Sequence, residues 1–565
     1  MRRGRWSTAI ALSFCLRPGP SRVDTCARLP IMPWDFNRLP SQSPGSLRPA
    51  VEHAMKVVTA QEMRMLEAGA AATGLSYEEM MERAGGAVAR AIAAAHTVPG
   101  ARVLVLVGPG NNGGDGLVTA RLLREQGAEV SAYIWKRETE ADENYRRAVA
   151  AGVTVLRIGD DVDMGHLVAL VDSCDILVDA LLGTGVAGPL REDVAGLLAT
   201  VKERLALRLP STPDLMPLDR TVPRRDGCPL VVAVDLPSGL NADTGEADAL
   251  TLGADLTVTF AFPKQGLLRF PGAELAGRLL VADIGIAPAL AADVTLEVAE
   301  PAMIGPLLPE RPLQANKGTF GKVMVVGGSI PYAGAPYMAA MGAARVGAGL
   351  VTLAVPQPIY PSLAARATEM TFLILPSDMG ALTPAAIKLL GEAFAGYRAL
   401  LLGPGLGREP ATFEFVRQLL GLRPAGLRSG MGFLARETVA EARSHELPAA
   451  VIDADALNAL AATPEWWKGT QARLVLTPHP GELARLREST VDAIQADRVE
   501  AARAAAATWG QIVVLKGAHT VVAAPDGRAT LMPFANPALA SAGTGDVLAG
   551  TIAGLLAQGL APERA

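Results

Sequence analysis

Apolar residues along this chain come in short unbroken runs rather than in alternation. Arg102-Val-Leu-Val-Leu-Val107, Asp175-Ile-Leu-Val-Asp-Ala-Leu181 and Pro229-Leu-Val-Val-Ala-Val-Asp235 read as strands buried on both faces, and Val130–Trp135 as a further strand. The pattern returns in Lys322–Val326, Leu350–Val355, Val451-Ile-Asp453, Val475-Leu-Thr477 and Ile512-Val-Val-Leu-Lys516, followed by a hairpin-like Thr520–Ala524. Helical spacing separates the runs, as in Leu117–Arg124, Ala333–Val346 and a last helix ending near Gln558. Two helices are predicted between Thr59 and about Ala95, the second from near Ser76. Thr59 followed by Glu62 is a capping box for the first. Strands alternating with helices predict parallel sheets covered on both faces, an α/β protein.

Composition narrows the picture. The chain has 565 residues, half of them hydrophobic, which excludes global disorder. At ~100–200 residues per domain the length suggests several domains or two large ones. Aromatic residues are 4%, too few for a surface that stacks bases or sugars on many rings. Residues 1–54 hold eight arginines against Asp24, Asp35 and Glu52, a net of +5, with seven prolines and no sustained period. They are expected to be a disordered extension or a mis-assigned start. The rest carries 44 basic and 54 acidic residues, a net of −10, which gives no electrostatic footprint for nucleic acid. Cys15, Cys26, Cys174 and Cys228 form no CxxC or Cys/His ligand spacing, and the plain expectation is a reducing, cytoplasmic setting. No apolar run reaches the ~18–20 residues that span a bilayer.

The chemistry gathers where strands end. Arg102–Val107 runs into Gly108-Pro-Gly-Asn-Asn-Gly-Gly-Asp-Gly116. Strand, glycine-rich turn and helix place backbone N–H groups against a phosphate. A turn needing glycine only for positive φ would not need Asn111, Asn112 and Asp115, whose oxygens suit a substrate or a cation. The run ending in Asp179 leads to Gly183-Thr-Gly-Val-Ala-Gly-Pro189, and Asp235 precedes Leu236-Pro-Ser-Gly-Leu-Asn241. Ligands of open parallel sheets bind beyond the carboxyl ends of strands. Asn112, Asp115, Asp179, Asp235 and Ser238 all fall there.

These motifs resemble the NAD(P)H-hydrate epimerase domain, over Met55 to about Val298. The resemblance implies a Rossmann-like three-layer α/β/α domain spanning 55–298. It implies substrate contacts from Asn111, Asn112, Gly113, Gly114 and Asp115. Gly183, Thr184, Gly185, Val186, Ala187, Gly188 and Pro189 would cover the substrate, and Asp235 would contact it and act as acid/base. Asn112, Asp179 and Ser238 would hold a potassium ion. Arg208–Gly227 departs from the family as a proline- and arginine-rich surface insertion.

Beyond a proline-rich linker at Glu300–Arg311 the motifs change. Gly403-Pro-Gly-Leu-Gly407, Asp453-Ala-Asp-Ala-Leu-Asn458, Thr477-Pro-His-Pro-Gly-Glu482 and Lys516-Gly-Ala-His-Thr520 each follow a strand, and Ala542-Gly-Thr-Gly-Asp546 opens the last helix. Glycines and a carboxylate at a helix N-terminus suit phosphoryl transfer, with amides holding the migrating group and Asp546 accepting a hydroxyl proton. An aspartate favoured in a first helical turn is the bland alternative. No GxxxxGK[ST] is present, so the chemistry is not of P-loop type.

This half, spanning 303–565, resembles the ribokinase-like superfamily and its ADP-dependent NAD(P)H-hydrate dehydratase branch. The resemblance implies adenine-nucleotide contacts from Lys516, Gly517, Ala518, His519, Thr520 and Gly545. It implies contacts with the hydrated nucleotide from Ala335, Gly405, His479 and Asp546. Asp546 would be the base and magnesium would accompany ADP. Together the halves imply a bifunctional enzyme that epimerises hydrated NADH and NADPH (NADHX and NADPHX) and dehydrates one epimer with ADP. The rival is a small-molecule kinase fused to a dinucleotide-binding domain. Expected partners are those small molecules, with no nucleic acid, no membrane and a homo-oligomeric assembly. Gly421–Glu446 is expected to be a basic surface insertion. The chain stops at Ala565, before helices that the family normally adds. Val547, Leu548, Ile552, Leu555 and Leu556 are then expected to lack part of their cover, with reduced stability of this half.

Overall fold

A computed structural model describes residues 54–185, 188–208, 228–422 and 447–565. The extension at 1–53, Val186, Ala187 and most of both expected insertions lie outside the described residues.

The first sheet has seven parallel strands: β1 (Arg102–Val107), β2 (Glu129–Ile134), β3 (Thr154–Arg157), β4 (Ile176–Ala180), β5 (Leu230–Val234), β6 (Leu256–Phe260) and β7 (Arg278–Ala282). Their spatial order is β3-β2-β1-β4-β5-β6-β7, with a direction switch beside β1, the doubly wound arrangement. β1, β4 and β5 are buried almost throughout, because helices cover both faces. The capping box at Thr59 and Glu62 starts the helix Ala60–Ala72, and Ser76 caps the helix Tyr77–Ala95.

The second sheet has ten strands: β8 (Leu296–Val298), β9 (Lys322–Val326), β10 (Leu350–Pro356), β11 (Thr371–Leu375), β14 (Ala399–Leu402), β15 (Ala449–Ile452), β16 (Leu474–Leu476), β17 (Ile512–Leu515), β18 (Val521–Ala523) and β19 (Ala529–Leu531). A two-stranded ribbon, β12 (Ser377–Asp378) with β13 (Ala381–Leu382), stands apart. The order is β11-β10-β9-β14-β15-β16-β17-β18-β19-β8. The neighbours β11, β10, β9, β14, β15, β16 and β17 run parallel, and β18 is antiparallel to both β17 and β19. Among the described residues the fold is α/β, with two large sheets and the small ribbon.

The border between them is interwoven. β8 pairs with β19, so the last strand before the proline-rich linker belongs to the second sheet. Met55–Val58 lies against it, with Val57 N donating to Leu296 O and Val298 N to Met55 O. On its other side Val58 bridges Lys264. Val57, Leu268, Leu296 and Val298 share one core with Met324, Leu400 and Ile452 of the second sheet. In the last helix, Thr544–Ala557, Ile552 and Leu556 are buried while Val547 and Leu548 are exposed. Among the described residues no helix is long and apolar enough to cross a membrane.

Candidate functional site

Two sites form, one at the carboxyl edge of each sheet. At the first, the helix after β1 spans Asn111–Glu125, so Asn-Asn-Gly-Gly-Asp is its first turn rather than a loop before it. Glycine disfavours helix, but packing overrides that preference here. A side chain at Gly108 would run into the carbonyl of Leu181, and one at Gly113 into the carbonyl of Gly108. The helix start is thus pressed against the ends of β1 and β4. Arg137 fastens it from behind, donating to Gly110 O at 2.6 Å and Gly108 O at 3.2 Å.

Asn112, Asp179 and Ser238 meet in one buried cluster. Asn112 Nδ2 donates to Leu182 O at 3.0 Å, while its Oδ1 is buried without a partner. Asp179 accepts from Ser238 Oγ at 2.6 Å, Ser238 N at 2.8 Å and Leu181 N at 3.3 Å. Burial pushes its carboxyl up, against the pull of the Ser238 hydrogen bonds. A buried carboxylate whose donors are neutral, beside an orphaned amide oxygen, is a set of oxygens whose chemistry suits a cation.

Asp235 follows β5 with φ 65°, a left-handed conformation that is uncommon for a non-glycine residue. Its Oδ1 accepts from Thr259 Oγ1 at 3.0 Å, Phe260 N at 3.3 Å and the Lys264 ammonium. Lys264 is fully buried and also reaches Thr259 Oγ1 at 3.1 Å. All three donors converge on one oxygen. Asp115 is buried nearby, and burial, then the charges of Asp235 and Glu67, push its carboxyl well above the usual range. Glu67, on the helix Ala60–Ala72, is raised by burial and by Asp235, against Lys264. Lys264 and Glu67 were not predicted. The signal for Lys264 was Phe262-Pro-Lys264, a charge placed just past the end of β6. Asn111 is exposed, Gly183 and Thr184 are half-buried, and Gly185, Gly188 and Pro189 are exposed.

The second site is built around Lys516, at the end of β17. Its Nζ donates to Asp453 Oδ1 at 2.7 Å and lies 3.8 Å from Glu482 Oε2. Asp453, at the end of β15, is buried and also accepts from Thr477 Oγ1 at 2.7 Å. Asp546 sits in the first turn of the helix Thr544–Ala557, entered through Gly543 at φ 93°. A side chain added at Gly545 would lie 3.5 Å from Lys516 Nζ, so that lysine faces the helix start. Burial, then the nearby Asp453 charge, lifts the Asp546 carboxyl to about 6 against the pull of Lys516.

His479 caps the helix Pro480–Leu486: its Nδ1 accepts from Gly481 N at 3.0 Å and Glu482 N at 3.3 Å. Its side chain is half exposed, and burial and Lys516 hold its pKa below the usual value. Gly405 takes φ 65°, and its carbonyl accepts from Ser329 Oγ at 2.8 Å. Across it lies Ala335, on the helix Gly334–Arg345. Gly517 and Ala518 are exposed, and Thr520 Oγ1 closes their turn by donating to Gly517 O at 2.9 Å. Asp453 and Glu482 stood within predicted motifs without a predicted role. The structure makes both neighbours of Lys516.

Two family patterns divide the chain at this geometry. The YjeF-related protein N-terminus family matches residues 77–266 and the NAD(P)H-hydrate dehydratase family matches residues 323–565. The bifunctional NAD(P)H-hydrate repair enzyme Nnr of Moorella thermoacetica is 40% identical over 90% of this chain and 89% of its own length. The chain belongs to the bifunctional NAD(P)H-hydrate repair enzyme family. The Nnr of Thermofilum pendens is 37% identical over 90% of this chain and 89% of its own. The solved ADP/ATP-dependent NAD(P)H-hydrate dehydratase from Bacillus subtilis, co-crystallised with ATP and Mg2+, is 30% identical. It covers 47% of this chain and 83% of that chain, with a TM-score of 0.36. Within this repair-enzyme family the first edge corresponds to the YjeF-related half and the second to the dehydratase half.

Proposed function

We propose that this chain epimerises hydrated NADH and NADPH at the first site and dehydrates the S epimer at the second, consuming ADP and releasing AMP and phosphate. The observation that carries this reading is that each sheet edge holds its own lysine–carboxylate pair. Asp235–Lys264 stands in one half, and Asp453–Lys516 beside Asp546 in the other.

In the first site Lys264, Thr259 and the Phe260 amide all hold Oδ1 of Asp235, which fixes the carboxylate and leaves Oδ2 to exchange the substrate proton. Burial and the charges of Asp235 and Glu67 favour the protonated form of Asp115, the form that can donate a hydrogen bond to the substrate. Asn112, Asp179 and Ser238 supply oxygens only, which fits a potassium ion, and the orphaned Asn112 Oδ1 asks for one. That ion would supply positive charge close to the nucleotide.

In the second site Asp546 takes the proton of the ring hydroxyl as that oxygen bonds to the β-phosphorus of ADP. The P–O bond to AMP breaks, and the phosphorylated oxygen then leaves as phosphate. The neighbouring ring carbon loses a proton, and the ring double bond is restored. Amides at the start of the helix Thr544–Ala557 and Lys516 hold the migrating phosphoryl group. The carboxylates of Asp453 and Glu482 suit a magnesium ion bound mainly through nucleotide phosphates, which would neutralise charge on them.

The test is recovery of reduced-nicotinamide absorbance from a mixed-epimer hydrate, with ADP and potassium each varied. Full conversion of both epimers is expected. Phosphorylation of an alcohol by ATP with no recovery would replace this reading by a kinase.

A further inference from the structure

The segment that follows Lys264 does not stay in the first half. Gln265–Leu268 forms one turn, and the Leu268 side chain is buried in the core of the second sheet. Arg269 Nη2 then donates to Asp497 Oδ1 at 2.9 Å and to Gln265 Oε1 at 3.0 Å. Asp497 caps the helix Arg498–Trp509, whose first residue grips the chain just after β17. Arg498 Nη2 donates to Leu515 O and Lys516 O, each at 3.1 Å. Farther along, His519 Nδ1 donates to Leu268 O at 2.7 Å, and its ring lies 5.5 Å from that of Phe270. His519 takes φ 50°, a conformation the backbone adopts unwillingly without support. Its neighbours Gly517 and Ala518 are exposed. Within the second half the turn is held by His519 N donating to Phe534 O at 3.0 Å, Met532 N donating to Thr520 O at 2.9 Å and the Thr520 Oγ1 bond to Gly517 O, and the Leu268 and Phe270 contacts add to these.

We propose that Leu268, Arg269 and Phe270, residues of the epimerase half, are positioning residues for the nucleotide site of the dehydratase half, acting through His519 and Asp497 to hold Lys516–Thr520 in its binding shape. The inference rests on the reading of Lys516–Thr520 as the nucleotide loop. A loop ordered before binding costs less to order on binding, so the strap acts on nucleotide affinity and not on the chemical step. Phe270 is half exposed and its ring packs against that of His519, so its removal strikes the strap rather than Asp235, Asp453, Lys516 or Asp546.

The experiment measures dehydration kinetics on the full chain for Phe270→Ala, Phe270→Tyr and, as a reference, Lys516→Ala. Losing an aromatic contact changes an equilibrium by roughly two- to tenfold. Phe270→Ala is expected to raise KM for ADP by that factor. It should leave kcat, KM for the hydrate and epimerisation unchanged, and Phe270→Tyr should restore KM. An unchanged KM for ADP in Phe270→Ala beside a raised one in Lys516→Ala overturns the strap while the loop reading stands. An unchanged KM in both overturns the loop reading and the strap with it. A fall in kcat at both sites together with the melting temperature shows a structural role only, and also overturns the proposal.

Discussion

The two sheet edges use the same pieces in opposite ways. At the first, the lysine pairs directly with the carboxylate proposed as acid/base: Lys264 holds Asp235, and both are buried. At the second, the lysine pairs with a neighbour: Lys516 holds Asp453, and burial and then the Asp453 charge lift the Asp546 carboxyl to about 6 against the pull of Lys516. A carboxylate fixed by three donors suits proton exchange in either direction on a held substrate. A carboxylate that binds its proton near neutral pH suits a base that must take one from a weakly acidic hydroxyl. The charge partner thus sets the task, although both edges arise from the same strand-to-helix geometry.

The comparison breaks most sharply at Asp546. Asp546→Asn should lower the dehydration rate by at least ~100-fold, the scale of a lost general base, and leave epimerisation intact. Separate assays of the two steps check this, and unchanged dehydration would remove Asp546 from its role. Lys264→Met comes next. It leaves Asp235 buried without its cation, which costs about 3–5 kcal/mol of stability. Epimerisation should be lost. Denaturant unfolding and the epimerisation assay read the two effects, and an unchanged midpoint would mean that the pair is not buried in solution.

The third prediction concerns pH. The proposed base Asp546 must be deprotonated to act, so dehydration should fall as pH drops through about 6. Asp453 raises that value, so Asp453→Asn should move the inflection to lower pH. A kcat profile that stays in place would show that Asp453 does not act on Asp546. The smallest effect is expected at the first edge. Replacing potassium by a large organic cation should weaken epimerisation in the native chain and change little in Asn112→Ala. Equal potassium dependence in both would place the ion elsewhere.

Most of this was legible because strand ends announce themselves. Asn112, Asp179, Asp235 and Ser238 were predicted at one sheet edge from buried runs broken by glycine, and the structure brings them to the same edge of the first sheet. Lys264 was not read, because its importance depends on β6 lying beside β5, a non-local pairing that no local pattern encodes. The helix start at Asn111 was misplaced for a related reason. Glycines at 113, 114 and 116 argue against helix locally, yet a side chain at Gly113 would meet Gly108 just after β1, one at Gly116 would meet Ala180 of β4, and one at Gly114 would meet Met81 of the helix Tyr77–Ala95. Gly405 and Ala335 are 70 positions apart, and only the fold sets them face to face.

β8 has a practical consequence. The proline-rich stretch after it looks like the natural place to divide the protein into two separately expressed enzymes. A cut there would carry β8 away with the wrong partner. β19 would then present an open row of backbone donors and acceptors, and such an edge recruits other chains. The dehydratase half made alone from residue 303 is therefore expected to self-associate. One begun ahead of Leu296 should stay dispersed, so the place to separate the genes' products lies inside what the sequence presents as the first enzyme.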